Sequence, residues 1–147
     1  MLRGNHPARI DDKGRIKIPN GFRSFVEAQF GNELFVTSVG GDYARVYPMP
    51  VWLEIEKKLA GVPSSHPSKL RFLDRVNFFG QVAAMDKQGR VLIPQLLRES
   101  AAMTGEVSVL GLHNHLAIWN QKRLLDRLFK QEPFTEEDGR VLAEYGI

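Results

Sequence analysis

The residues of this chain best suited to chemistry form a short cationic segment near the amino terminus. Within seven positions the sequence places Asp11, Lys13, Gly14, Arg15 and Lys17. The planar fork of an arginine matches O6 and N7 of guanine, and one such contact discriminates between bases by about 1–3 kcal/mol. Other cations hold phosphates and set the register of a complex. The segment is therefore suited to DNA, on which Arg15 can contact a guanine while Arg3, Arg9, Lys13 and Lys17 hold phosphates.

The charge distribution along the chain supports an anionic partner. The whole chain holds 20 Lys and Arg against 17 Asp and Glu, a net charge of +3. Residues 1–25 contain six basic and two acidic residues, which gives this segment a net charge of +4. The remaining residues together have a net charge of −1. Such asymmetry favours nucleic acid first and an acidic membrane surface second. The alternative interpretation is a solvated basic surface without a partner.

Composition restricts the class of protein. The chain has 147 residues, of which 43% are hydrophobic and 25% charged, as in ordinary globular proteins. It has no cysteine, which excludes a thiol nucleophile, a disulfide framework and a thiolate metal site. The charged amino terminus, interrupted by Pro7, does not resemble a signal peptide, and no apolar run is long enough to span a membrane. We expect a cytoplasmic protein in a reducing compartment, without membrane association.

The sequence predicts no enzymatic activity. It lacks the nucleophile-elbow, zinc-protease, P-loop and dinucleotide-binding motifs. Asp11 and Asp12 are neighbours whose side chains point apart, so they do not form a carboxylate pair. His113 and His115 have the spacing of residues on one strand face, but no third metal ligand is near them in the sequence. No cofactor, metal or small-molecule substrate is expected.

An internal repeat organises the chain. Residues 10–19 read IDDKGRIKIP and residues 85–94 read MDKQGRVLIP, which aligns the two segments at an offset of 75. Arg23 and Arg98 match at the same offset. We interpret this agreement as two copies of one module of about 45 residues, a size at which a domain rarely folds alone. The residues of the second motif are Asp86, Lys87, Gly89 and Arg90.

Each copy predicts a hairpin that presents its cations on one face. Because side chains alternate along a strand, Arg15 and Lys17 point to the face opposite Ile16 and Ile18. The turn between the two strands is predicted to depend on the glycine and the aspartate of the motif. Glycine supplies the positive φ of a short turn, and the aspartate accepts backbone N–H bonds. These roles fall on Gly14 and Asp11 in one copy and on Gly89 and Asp86 in the other.

A helix and a second hairpin follow each motif. Pro19 and Pro94 are predicted to begin helices that end near Gly31 and Gly105. The predicted strands of the second hairpins are 34–37 with 43–47 and 107–110 with 116–119. Pro7 cannot donate a backbone hydrogen bond, so the first strand is predicted to lie at a sheet edge.

These elements predict an α+β fold, mainly β. Two tandem swapped-hairpin modules interleave into one pseudo-symmetric barrel flanked by short helices. Apolar spacing predicts two helices in the joining segment, and Thr135 with Asp138 predicts a capped final helix. The predicted units are a first module at 4–52, a helical linker at 53–78, a second module at 79–122 and a helical tail at 123–147.

The two copies differ in charge. At offset 75, Arg9, Lys13 and Lys17 are replaced by Ala84, Gln88 and Leu92. An exposed leucine on a strand face is suited to a protein contact. We therefore hypothesise that the first copy faces DNA and the second serves folding and assembly. The alternative, favoured for the second copy, is that each aspartate and arginine of the motif form an ion pair that only stabilises the turn.

The paired motifs GNHPARIDDKGRIKIP and MDKQGRVLIP resemble the MraZ family, and the resemblance covers nearly the whole chain. It implies tandem modules of the AbrB/SpoVT swapped-hairpin type. It also implies a nucleoid-associated bacterial transcriptional regulator of the division and cell-wall gene cluster, expected to act as a repressor. Such a protein forms a homo-oligomeric ring and binds short direct repeats in its own promoter. The DNA-contacting motif would fall on Asp11–Arg15 with Arg15 central, and its second copy on Asp86–Arg90.

Another class of function stays open. An antitoxin-like or structural ring-forming protein could use the same basic turn to bind an acidic protein.

In the DNA-binding interpretation, a ring repeats one weak contact at fixed spacing, and linked sites gain roughly 10²–10⁴ in avidity.

Overall fold

The two copies of the repeat form matching sets of elements in a computed structural model that describes all residues from Met1 to Ile147. The strands are β1 Leu2–Arg9, β2 Arg15–Lys17, β3 Glu33–Thr37, β4 Ala44–Pro48, β5 Gln81–Ala84, β6 Arg90–Leu92, β7 Glu106–His113 and β8 Leu116–Asn120. The helices are α1 Asn20–Phe30, α2 Met49–Ala60, α3 Pro67–Phe78, α4 Gln95–Ser100, α5 Gln121–Asp126 and α6 Glu136–Ala143. A π-helical turn at Arg127–Gln131 continues α5.

The strands of the two copies pair with each other. The larger sheet is antiparallel and has the order β1-β7-β8-β4-β3-β5, and β2 pairs with β6 in a second sheet. The first strand of each copy thus pairs with the second hairpin of the other copy, β1 with β7 and β5 with β3. The α+β fold, mainly β, with interleaved halves is confirmed. Closure of both sheets into one barrel stays a prediction, as do the unit boundaries.

One shared core holds both copies together. Ile16 and Val91, opposite each other in β2 and β6, have no exposed surface. They belong to a cluster of 20 buried residues contributed by both halves, including Leu34 and Ile118. Since burial of apolar surface is the main favourable term in folding, neither half can retain its stability when the other is removed. β1 lies at an edge of its sheet, as Pro7 predicts.

The helices of the joining segment pack on the outside of this core. Trp52 of α2 stacks on Phe35 with ring centroids 4.6 Å apart, and Val76 of α3 is buried in the same cluster. Both predicted helices of the linker are confirmed. Thr135 and Asp138 form the predicted capping box of α6. None of the helices has the length and apolar composition needed to cross a membrane.

Two predictions are wrong in detail. The helix after Pro94 ends at Ser100 rather than near Gly105, because the backbone turns at Ala102, which has φ +50°. His113 and His115 do not share a strand face, because His113 ends β7 and His115 lies in the bend before β8. His115 instead stacks on Tyr47 with centroids 4.7 Å apart, and burial together with the charge of Arg45 lowers its pKa to about 4.

Candidate nucleic-acid interface

The two motifs meet on one short β-ribbon. In the β2–β6 pair, Arg15 lies opposite Leu92 and Lys17 lies opposite Arg90. Residues directly opposite each other in an antiparallel pair share a face. Because the central pair is buried in the core, these four residues lie on the outer face of the ribbon. We call this face, with Arg15, Lys17, Arg90 and Leu92, the ribbon face.

The first turn is organised by the carboxylate of Asp11. One oxygen accepts the backbone N–H groups of Lys13 at 3.0 Å and Arg15 at 2.8 Å, and the other accepts Nε of Arg15 at 3.0 Å. Gly14 has φ +83° and donates its N–H to the carbonyl of Asp11. The predicted roles of Asp11 and Gly14 in forming the turn are confirmed.

The second turn repeats this geometry. Asp86 accepts the N–H groups of Gln88 and Arg90, both at 2.9 Å, and Nε of Arg90 at 2.8 Å. Gly89 has φ +76°. The ion pair between aspartate and arginine is therefore a structural feature of both copies, not of the second alone.

These hydrogen bonds shift the pKa values of both aspartates. The N–H of Arg90 is the largest cause that lowers the pKa of Asp86, to about 2, and the corresponding bond from Arg15 lowers the pKa of Asp11. Partial desolvation opposes the shift at both residues. Both carboxylates are thus ionised at neutral pH and hold their arginines in one orientation.

The ion pair and a DNA contact are compatible. Each arginine uses Nε for its aspartate, and its two Nη groups make no hydrogen bond within the chain. The side chains of Arg15 and Arg90 are 28% and 32% exposed. The Nη groups carry the donors that a bidentate contact requires. The aspartate therefore orients the arginine and leaves its recognition edge available.

Each turn is supported by the other copy. Gly14 accepts a hydrogen bond from the N–H of Ile93 at 3.0 Å, and Gly89 accepts one from the N–H of Ile18 at 2.9 Å. An arginine from the helix of the opposite copy also lies against each turn, Arg23 at Gly89 and Arg98 at Gly14. Both hairpins are thus held by backbone and side chains from both halves.

The two supporting arginines differ in their hydrogen bonds. Arg23 donates to the carbonyl of Lys87 at 3.0 Å and to Glu27 at 2.8 Å. Arg98 makes no side-chain hydrogen bond, and its buried Nε lacks a partner. A Cβ added to Gly14 would overlap the guanidinium of Arg98, so the contact is one of close packing. Both turns accept a backbone hydrogen bond from the other copy, but only the second also accepts one from its supporting arginine.

The remaining predicted cations divide into two groups. Lys13 and Lys87 are exposed on the turns. Arg9 lies near Lys17 along a shallow cavity of about 350 Å³ but pairs with Glu106 at 2.8 Å. Arg3 is exposed near the opposite end of β1, paired with Leu112, and the structure does not bring it to the turn.

Comparison with known proteins gives one consistent result. The family model described as "MraZ protein, putative antitoxin-like" matches residues 1–75 and 81–144. The chain belongs to the MraZ family. It is 46% identical over 147 residues to a protein of Acidobacterium capsulatum and 48% identical over 148 residues to one of Koribacter versatilis. Each alignment covers the full length of both chains, and both relatives are named "Transcriptional regulator MraZ".

Within this MraZ-family chain, sequence reasoning missed two features of the site. It separated the two motifs, whereas the structure places Arg90 opposite Lys17 on one face. It aligned Arg23 with Arg98 but did not predict that each would support the turn of the other copy. The internal repeat could have predicted these contacts. When two equal copies exchange strands, each residue of one copy that supports a turn lies at the turn of the other copy.

Proposed function

We propose that this MraZ-family protein is a DNA-binding transcriptional regulator that contacts the duplex through its ribbon face. The observation that carries the proposal is the placement of three cations, Arg15, Lys17 and Arg90, on the outer face of one two-stranded ribbon. The names of its relatives, "Transcriptional regulator MraZ", support the same function. B-DNA admits a two-stranded β-ribbon into its major groove, which is about 12 Å wide.

The roles of the residues follow from their geometry. Arg15 is oriented by Asp11 and presents its free Nη groups for bidentate contact with a guanine. Lys13 on the turn and Lys17 on the strand are exposed and hold flanking phosphates. Arg90 adds a cation directly opposite Lys17. Because Ala84 and Leu92 stand where the first copy has Arg9 and Lys17, the first copy carries the larger share of the contact.

The remaining predicted cations have secondary roles. Arg9 gives one Nη to Glu106 and has its other donors free for a phosphate, and Arg3 lies at the far end of β1. Lys87 is exposed on the second turn, where it extends the contact along the backbone. Since phosphate contacts act without sequence preference, these residues affect affinity more than specificity.

Affinity in this proposal comes from repetition. One chain offers few contacts, so a homo-oligomeric ring binds short direct repeats in the promoter of its own division and cell-wall gene cluster. The protein works at the nucleoid in the cytoplasm as a repressor, without a cofactor. Linked sites raise affinity by roughly 10²–10⁴ without new contacts.

Fluorescence anisotropy with labelled duplexes tests the proposal. The probes are DNA from upstream of the protein's own gene and a shuffled duplex of equal length, each titrated at several salt concentrations. We expect tighter binding to the upstream DNA and a steep loss of affinity with salt, because binding releases condensed counterions. Equal, salt-insensitive binding to both probes would contradict it. Co-purification of an acidic partner protein without DNA binding would favour the antitoxin-like alternative.

A further inference from the structure

The carboxy-terminal helix α6 packs only loosely on its own chain, with Gly139 and Leu142 half-buried and its other side chains exposed. No residue of Glu136–Ala143 is buried, and its side-chain hydrogen bonds join residues 135–140 only to each other. Helices shorter than about 12–15 residues are marginal in isolation, and α6 has eight. Its capping box stabilises one end but cannot replace tertiary packing. A helix in this condition requires another surface to cover it.

One face of α6 combines apolar and acidic side chains. Glu137 and Val141 have the spacing of neighbours on one side of α6, and Glu144 and Tyr145 follow in the turn after its last residue. Val141 and Tyr145 are among the large hydrophobic residues that remain exposed. Residues 132–147 contain five acidic residues and one basic residue. The surface that covers α6 must therefore be apolar with positive charge.

Such a surface exists on α3 of the same chain. Arg71, Arg75 and Phe78 share one side of this helix and are exposed. With Asp74 and Phe79 they line a surface cavity of about 600 Å³. Phe78 is 62% exposed, in contrast to Val76 on the packed side of α3. The two arginines of the cavity exceed the charge of Asp74, so the cavity complements Glu137 and Val141 of α6 and Glu144 and Tyr145 of the turn that follows it.

We infer that α6 of one copy docks on the α3 cavity of a second copy. The contact joins two different surfaces, so it is heterologous, and repetition of such a contact produces a closed ring or an open filament. The inference deepens the proposed function, since it rests on the self-assembly proposed above and supplies its contact. The ribbon face takes no part in the contact.

Charge reversal on each side tests the inference by light scattering coupled to size-exclusion chromatography. One variant carries Arg71→Glu and Arg75→Glu, and the other carries Glu137→Lys and Glu144→Lys. Each variant alone opposes like charges across the contact, so we expect its mass to fall from an oligomer to the 16.7 kDa single chain. An equimolar mixture restores one native pairing and one reversed pairing, and we expect it to associate again. Lys57→Glu with Lys58→Glu, on exposed positions of α2, is the matched control and keeps the wild-type mass.

Several outcomes would overturn the inference. Single-variant masses equal to that of the wild type would show that the chains assemble through another surface. A mixture that stays monomeric would exclude the pairing of α6 with α3, and a monomeric wild type would exclude the self-assembly as well. Binding of each variant to a duplex with a single site separates the two proposals. If the variants still bind this duplex, DNA binding through the ribbon face does not depend on docking. If an oligomeric wild type does not bind DNA, only the proposed function is contradicted.

Discussion

The turns at residues 11–15 and 86–90 have the same internal geometry but different surroundings. In both, an aspartate accepts two backbone N–H groups and the Nε of an arginine four residues later. The first turn carries an exposed lysine where the second has Gln88, and its supporting arginine makes no hydrogen bond. The comparison teaches that the residues shared by the two copies encode the turn, while the residues that differ between them determine what each turn contributes.

Removal of the two motif arginines should have the largest effect on DNA affinity. Arg15→Ala is expected to weaken binding to the upstream DNA by about 10–100-fold, because it removes the proposed base contact. Arg90→Ala is expected to cost less than about tenfold, as loss of a phosphate contact does. Both are measured by fluorescence anisotropy, with Lys57→Ala at an exposed position of α2 as the control. Equal losses at the two positions would contradict the assigned difference between the copies.

Replacement of Gly14 by alanine should destabilise the protein more than the same replacement at Gly89. Both positions have positive φ, which costs a non-glycine residue about 1–2 kcal/mol. A Cβ at Gly14 also overlaps the partly buried guanidinium of Arg98, whereas a Cβ at Gly89 would approach Cδ of Arg23 to 2.9 Å, which is a milder overlap. We expect Gly14→Ala to lower the free energy of unfolding by about 2–3 kcal/mol and Gly89→Ala by about 1 kcal/mol. Urea denaturation of the two variants checks the order, which an inverse result would refute.

Replacement of Arg23 should lower the free energy of unfolding more than replacement of Arg98, because only Arg23 donates hydrogen bonds. Arg23→Met removes the donor to Lys87 and the partner of Glu27, and should lower the free energy of unfolding by about 1 kcal/mol. Arg98→Met removes a buried donor without a partner, so its effect should stay within about 0.5 kcal/mol. Denaturation with urea measures both. A larger cost at Arg98 than at Arg23 would show that the first turn is anchored in a way the structure does not contain.

Acid should weaken both turns by a smaller amount. Because folding lowers the pKa of Asp86 to about 2, its stabilising contribution is complete above the unfolded pKa of about 4 and is lost as pH falls towards 2. Asp11 shifts in the same direction. Asp86→Asn should therefore flatten the stability profile between about pH 4 and 2. Thermal melting of this variant and the wild type across that range provides the test, and parallel profiles would argue against the shift.

Much of the local structure was predictable from the repeat. The turns at Asp11 and Asp86, the helices of the joining segment and the alternation of Arg15 with Ile16 follow from turn chemistry and side-chain periodicity. The end of α4 was not predictable, because the backbone reverses at Ala102, a residue type that seldom adopts positive φ. The position of α6 outside the core was equally hidden, since an amphipathic helix predicts a partner without specifying which one.

The candidate site was predictable in part. Charge and spacing selected Arg15, Lys13 and Lys17, which the structure places on the first turn and the ribbon face. The position of Arg90 opposite Lys17 depends on the register between two strands 75 residues apart. Periodicity within one strand carries no information about such a partner. The same limit applies to Arg98, whose contact with Gly14 crosses from one copy to the other.

The most direct test removes the charge of the ribbon face at once. The triple variant Arg15→Ala, Lys17→Ala and Arg90→Ala changes only outward-facing side chains, so its fold and oligomeric mass should match those of the wild type. Its anisotropy titration with upstream DNA is compared with that of a triple variant of exposed cations elsewhere, Lys57→Ala, Lys58→Ala and Lys130→Ala. We predict that the ribbon variant loses detectable binding at concentrations that saturate the wild type and the control. Binding by a folded ribbon variant with wild-type affinity would contradict the account.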